Sequence, residues 1–238
     1  MPRTTRRSVL AAAAAFALRP RAGKAATVPS SLDHILLGCN DLDAGIDFVE
    51  RQLGVRAALG GVHPGRGSRN ALLSLGERRY LEIIAPDPQQ PRSADVRHLY
   101  SIDSPRLIGW AAHVDDMDEV ARRLTAAGIA FNPPTPGARQ RPSGQTLRWR
   151  ALNLRDDQKG LLPFFIEWSK DSLHPSVDAP PGGRIDRFEL ASSQPEELRS
   201  QLSRLQLDAN VARAAQPELR ATLTGPKGKL SLPATGGR

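Results

Sequence analysis

The chain has 238 residues, enough for one large or two small domains, and carries a formal net charge of +8. That charge is unevenly placed: residues 1–26 hold six basic and no acidic side chains, so the remainder carries only +2. A nearly neutral body gives no electrostatic reason to expect a nucleic acid partner. Cys39 is the only cysteine, which excludes an intramolecular disulfide, and its apolar strand context marks it as a small buried hydrophobe.

Arg3, Arg6 and Arg7 precede an apolar stretch from Val9 to Leu18 and a small-residue patch from Ala22 to Ala26. Basic, apolar and small-residue regions in that order form a secretory signal. The apolar stretch is about half of the ~20 residues that a membrane span needs, so stable membrane insertion is not expected. Thr5-Arg6-Arg7-Ser8-Val9-Leu10 resembles a twin-arginine export signal, which implies a periplasmic or secreted destination.

The body then repeats itself. Leu32-Asp33-His34-Ile35-Leu36-Leu37-Gly38-Cys39-Asn40-Asp41 reads as an apolar strand running into an acidic helix start. Leu107-Ile108-Gly109-Trp110-Ala111-Ala112-His113-Val114-Asp115-Asp116 repeats it at an offset of 75, so that Asp41 falls on Asp116. In the first unit, about 31–88, the helix carries Leu42, Ile46, Val49 and Leu53 at helical spacing and stops at Gly54. A strand near 55–59, a glycine-rich loop over 60–69, a strand at 70–75 and a closing strand at 79–84 give the order βαβββ. A polar connector, 87–105, leads to the second unit, about 106–176. Its strand is 107–114, and its helix carries Met117, Val120 and Leu124. A proline-rich run at 132–136 replaces part of its second strand; strands at 146–153 and 162–168 complete βαβββ again. A partial third pattern spans 184–233: a strand at 184–191, a helix from Pro195 to about Leu205, and strands at 219–224 and 230–232. It reads as a structural or oligomerising appendage. The fold class is therefore α+β, with paired βαβββ modules forming a cupped mixed sheet and an additional partial C-terminal module. Pairing within one chain or between two copies as a homodimer both fit this organisation.

Each closing strand carries a glutamate, Glu82 in Tyr80-Leu81-Glu82 and Glu167 in Phe164-Phe165-Ile166-Glu167-Trp168. Together with Leu32-Asp33-His34-Ile35, Gly60-Gly61-Val62-His63-Pro64-Gly65-Arg66-Gly67-Ser68-Arg69-Asn70 and Leu147-Arg148-Trp149-Arg150, these segments resemble the vicinal oxygen chelate superfamily. More narrowly, they resemble its bacterial glyoxalase-like domain family. The resemblance covers about residues 31–176 and implies a cup in which one residue from each opening strand and one from each closing strand face one another. Under that reading His34, Glu82 and Glu167 are metal ligands, with Glu82 and Glu167 as catalytic carboxylates. A divalent cation such as Zn, Fe, Mn or Ni is the implied cofactor. The fourth position falls on Gly109, which has no side chain, and His113 lies too far along the strand to replace it.

Other residues around the expected cup are candidates for substrate binding. His63 sits in the glycine-rich loop and Asn70 opens an apolar strand; both match the family pattern. Arg148 and Arg150 share one strand face and hold an anionic substrate if that face is the cup, or are solvated if it is not. Gly65-x-Gly67 lacks the following helix and Lys-Ser/Thr pair of a phosphate loop. The sequence thus leaves two functions open beside a purely structural or oligomerising role. One is a metal-dependent lyase, isomerase or dioxygenase acting on a small oxygen-bearing substrate. The other is a non-catalytic small-molecule-binding protein of the cell envelope that has lost the metal. Glyoxalase I chemistry itself is disfavoured by the missing ligand and by export.

Overall fold

A computed structural model describes residues 27–141 and 144–233. The export signal expected over residues 1–26 lies outside the described residues. The first unit consists of β1 (Leu32–Gly38), α1 (Leu42–Leu53), β2 (Ala58–His63), β3 (Ser68–Ser74) and β4 (Tyr80–Pro86). The second consists of β5 (Arg106–His113), α2 (Met117–Ala126), β6 (Thr135–Gln140), β7 (Thr146–Leu152) and β8 (Phe164–Trp168). The short helix α3 (Pro175–Asp178) leads to β9 (Arg184–Ser192), α4 (Pro195–Arg204), β10 (Asn210–Arg213), β11 (Glu218–Thr224) and β12 (Lys229–Leu232).

The duplicated aspartates start the duplicated helices. The Asp41 carboxylate accepts the Ala44 N–H at 2.8 Å, and that of Asp116 accepts the Glu119 N–H at 2.9 Å. Each satisfies a backbone donor that the first helical turn leaves open. Gly54 ends α1 in the left-handed conformation at φ 80°, and its N–H returns to the Glu50 carbonyl.

Two expectations for the middle strands need correction. The loop expected at 60–69 is instead the hairpin between β2 and β3, with only residues 64–67 outside the strands. The proline-rich run does not remove the second strand of the second unit, because β6 begins at Thr135 and pairs along its length with β7. Pro136 is tolerated because β6 is an edge strand.

The eight strands of the two units form one sheet in the order β2-β3-β4-β1-β5-β8-β7-β6. The order is a palindrome of equivalent strands about the antiparallel β1–β5 seam, with β1 parallel to β4 and β5 parallel to β8. The sheet curls until its edges approach. There the Arg139 guanidinium on β6 donates to the Gly60 carbonyl on β2. The concave face is the cup.

The convex face is covered by the helices and by a second sheet, β10-β9-β11-β12. Ile46, Val49 and Leu53 of α1, Val120 and Leu124 of α2, and Phe188, Leu223 and Leu230 of the second sheet belong to one continuous core. Phe188 meets Trp110 of β5 edge to face at 5.4 Å. The Lys227 N–H also bonds to the Leu53 carbonyl at 3.0 Å, tying the last hairpin to the end of α1. The C-terminal module therefore completes the main core and is not an appendage to it. Replacing Phe188 by alanine is expected to cost about 3–5 kcal/mol, the usual loss for a buried aromatic. Denaturant unfolding should remain a single transition. A variant that keeps its stability, or that loses the C-terminal sheet in a separate early step, would contradict a shared core.

Candidate functional site

Strand register decides which side chains reach the cup. The 75-residue offset holds for the opening strands: Gly38 pairs with Ile84 as His113 pairs with Ile166, and Leu36 pairs with Glu82 as Ala111 pairs with Phe164. The Cys39 and Val114 amides bond to the Ile84 and Ile166 carbonyls in the same equivalent way. The residue equivalent to Glu82 is therefore Phe164. Glu167 lies three positions further on, and an odd displacement along a strand turns a side chain to the opposite face.

Three expected cup residues consequently point outward. Glu167 lies 3.4 Å from the Arg150 guanidinium, which also holds Asp118 of α2 at 2.5 Å. Arg148 is more than half exposed, 4.0 Å from Asp171. Between the two arginines Trp149 faces inward and lines the cup. The structure thus separates Glu167, Arg148 and Arg150 from the remaining candidates. His34, His63, Asn70 and Glu82 come together on the wall of a cavity of about 680 Å³, with Phe164, Ile166 and Trp168 opposite. Val96 and Leu99 cover one end of it: the connector expected to be polar folds them, with Ile102, into a small apolar cluster.

Asp33 is the residue that sequence reasoning overlooked. The β1–β5 register shifts between Leu32 and His34, leaving Asp33 as an extra residue in the seam. Its carboxylate is fully buried and accepts from three directions: His34 Nδ1 at 2.7 Å, His174 Nε2 at 3.1 Å and the Trp168 indole N–H at 3.1 Å. His113 Nδ1 stands 3.6 Å away. Burial alone would push the Asp33 carboxyl up, but the combined donation of His113, His174 and His34 holds it well below the usual carboxylate range.

An ionised carboxylate is acceptor-only, so His34 Nδ1 carries a proton and donates it to Asp33. His174 is fixed likewise, because its Nδ1 accepts the Ser176 N–H and its Nε2 donates to Asp33. The His34 ring is clamped between the stacked Tyr80 ring at 4.4 Å and the edge of Phe164 at 5.4 Å. Its Nε2 is buried without a hydrogen-bond partner among the described residues, 3.4 Å from a Glu82 oxygen.

Around Glu82 the polar groups are shared out. The Asn70 amide donates to Glu82 Oε1 at 2.8 Å and lies 3.3 Å from His63 Nε2. His63 Nδ1 is 2.8 Å from the Ser68 hydroxyl. Burial pushes His63 below its ordinary value against the pull of Glu82. Burial raises Glu82, but His34, His63, Asn70 and Arg139 outweigh it and keep the carboxyl below its ordinary value. The missing side chain of Gly60 makes room for Asn70 Oδ1 and Arg139 Nη1, which a Cβ would displace.

The donor set implied by the resemblance fails a direct fit. Of the four positions, His34 and Glu82 carry ligating side chains, while Gly109 and Phe164 carry none. A Cβ built at Gly109 meets nothing within 4 Å, so this corner of the cup is open space. Among the described residues no group of three or more His, Cys, Asp or Glu is arranged to hold a metal ion. Cys39 is inert, with burial pushing its thiol up to about 12.

Two substitutions test this geometry. Asp33→Asn leaves one neutral amide oxygen where an ionised carboxylate received three donors, and weakening hydrogen bonds to a charged group costs about 1.5–3 kcal/mol. The folded-state Asp33 carboxyl is depressed, so its stabilisation is present above the unfolded value of ~3.9 and lost as pH falls through the folded value. The acid limb of stability against pH, followed by urea unfolding, should be shallower in the variant than in the native chain. Glu167→Gln breaks only a half-exposed pair and should cost at most about 1 kcal/mol. A large loss there would contradict its outward placement.

The comparisons with known proteins agree with this architecture. The profile of the glyoxalase-like domain family matches residues 32–206. No curated protein sequence matches the chain significantly. A hypothetical protein from Staphylococcus aureus has a similar structure at 12% identity and TM-score 0.61, covering 84% of this chain and 97% of that one. Methylmalonyl-CoA epimerase from Mycobacterium tuberculosis aligns at 22% identity and TM-score 0.43, over 63% of this chain and 94% of its own. A Streptomyces coelicolor methylmalonyl-CoA epimerase variant, in complex with 2-nitronate-propionyl-CoA, aligns at 22% identity and TM-score 0.44, over 59% and 98%. No helix among the described residues is long and apolar enough to cross a membrane. With its palindromic eight-stranded sheet and a profile match over most of its length, the chain belongs to the glyoxalase-like domain family of the vicinal oxygen chelate superfamily.

Proposed function

We propose that the cup binds a small oxygen-bearing substrate and moves a proton on the carbon beside its carbonyl, as a lyase or isomerase, with His34 as the base. The observation that carries this reading is the state of the His34 ring. Its Nδ1–H is spent on Asp33, while Nε2 is buried in the cavity wall without a hydrogen-bond partner among the described residues. An imidazole held at Nδ1 by a carboxylate offers Nε2 as the atom that takes a proton, the arrangement that general base catalysis uses.

In this step Nε2 takes the proton, the C–H electron pair becomes the enolate C=C bond while the carbonyl π pair moves onto oxygen, and the imidazolium is stabilised by Asp33 and the nearby Glu82. Return of that proton from Nε2 to the other carbon of an enediolate gives an isomerase; collapse of the enolate with departure of a β-substituent and its bonding pair gives a lyase. No step is routed through a metal, since Gly109 and Phe164 leave the implied donor set half empty. The same vacancy favours a second reading, a binding protein that holds its ligand without transforming it. Export to the cell envelope is part of the proposal on the order of regions in residues 1–26 alone.

Proton–deuterium exchange separates the two readings. A panel of small 2-oxo acids, hydroxyketones and thioesters is incubated in D2O, and loss of the C–H signal is followed by NMR. The wild-type protein should exchange at least one member, and His34→Gln should slow that exchange at least ~100-fold, the usual worth of a positioned base. Exchange that persists in His34→Gln removes His34 as the base. A wild-type protein that exchanges nothing leaves the binding reading in place of the catalytic one.

A further inference from the structure

The cup contains a cation that the proton-transfer step does not use. Arg139 projects from edge strand β6 into the cavity wall and is 5% exposed. Its hydrogen bond among the described residues is to a neutral acceptor, the Gly60 carbonyl. The other buried arginine nearby, Arg141, has an ion pair with Asp178; Arg139 has none among the described residues. Its charge is nevertheless felt across the cup by Glu82, Tyr80 and His63. A guanidinium almost withdrawn from water with no carboxylate beside it is costly unless an anion completes it. Its planar fork matches the two oxygens of a carboxylate.

We propose that Arg139 is the anchor for a carboxylate on the substrate, so that the cup takes small carboxylic acids whose carbonyl end lies toward His34. This proposal rests on the proton-transfer reading and names the substrate class for that site. It also moves the anion-holding role, expected at Arg148 and Arg150, to the arginine that faces inward.

The competing explanation is mechanical. Arg139 joins the two edges of the curled sheet by its bond to Gly60, and that bond alone could account for its burial. Three features of the cup favour the anchor. One hydrogen bond to a carbonyl can be made by a neutral amide and does not call for a buried charge. The neighbouring Asn70 Oδ1 is also buried without a partner, beside Gly60, and can receive a hydroxyl or hydrated group of the same ligand. Trp149 and Trp168 then flank the cavity with apolar surface of the size that a short carbon chain needs.

The two explanations separate in a binding titration. Pyruvate, its uncharged methyl ester and inorganic phosphate are titrated against the full chain, following tryptophan fluorescence, since Trp149 and Trp168 line the cup. Pyruvate should bind at least ~10-fold more tightly than the ester, the worth of a charge-assisted pair. Arg139→Gln keeps a donor for Gly60 and should weaken pyruvate by a similar ~10-fold while leaving thermal stability near wild type. Arg139→Lys keeps the charge and should lie between. Equal binding of acid and ester, unchanged pyruvate binding in Arg139→Gln, tighter binding of phosphate, or no pyruvate binding at millimolar concentration would each overturn the anchor. If Arg139→Gln does not fold, the acid–ester contrast and the lysine variant still decide. Pyruvate binding through Arg139 with no exchange of any carbon acid would remove the proton-transfer reading alone. Exchange without carboxylate preference would remove this one alone.

Discussion

A buried carboxylate in the seam between the two halves organises this molecule. Asp33 is an extra residue in the pairing of β1 with β5, and that irregularity turns it toward the cup beside His34. A charge in that position is tolerated only because donors surround it. His34 comes from its own strand, Trp168 from the closing strand of the second unit, and His174 from the segment that leads to the C-terminal module. Three parts of the chain are thereby tied to one anion. Its demand for hydrogen bonds holds the Nδ1 edge of His34 and leaves Nε2 without a hydrogen-bond partner among the described residues.

The halves share a fold but divide the labour. Equivalent positions in the paired strands are His34 and Gly109 on the opening strands, and Glu82 and Phe164 on the closing ones. At these four positions the first unit supplies ionisable groups and the second supplies apolar wall or open space, its own charged group in the cup being Arg139 on β6. Phe164 does not merely lack a carboxylate, because its ring edge presses on His34 and helps hold it. Gly109 opens the space that a side chain would otherwise occupy. The convex faces, by contrast, stay alike. Asp41 and Asp116 cap the same helix start, and Ile46, Val49, Val120 and Leu124 fill one core. Packing constrains both convex faces equally, whereas a cup needs only one set of chemical groups.

The repeat made the architecture legible, because a 75-residue offset carries both the apolar strand and the helix cap. The family resemblance put His34 and Glu82 in the cup, and both line the cavity. The resemblance failed for Glu167 because the distance from opening to closing strand differs between the units, and a shift of three residues reverses the face. Arg148 and Arg150 followed Glu167 outward. The signal for Asp33 was present but unread: two adjacent polar residues, Asp33 and His34, interrupt an otherwise apolar strand and break its alternation. Arg139 was hidden by the prolines before it, which concealed the edge strand β6. His174 reaches Asp33 from 141 positions away, and no local pattern reports such a contact.

The most direct test of this account is the protonation pattern of the His34 ring, read by 15N-edited NMR of imidazole-labelled protein near neutral pH. The account predicts a neutral ring with its proton on Nδ1, in a strong hydrogen bond that disappears in Asp33→Asn, and an unprotonated Nε2. A proton found on Nε2 instead would contradict it, because the cup would then hold no base.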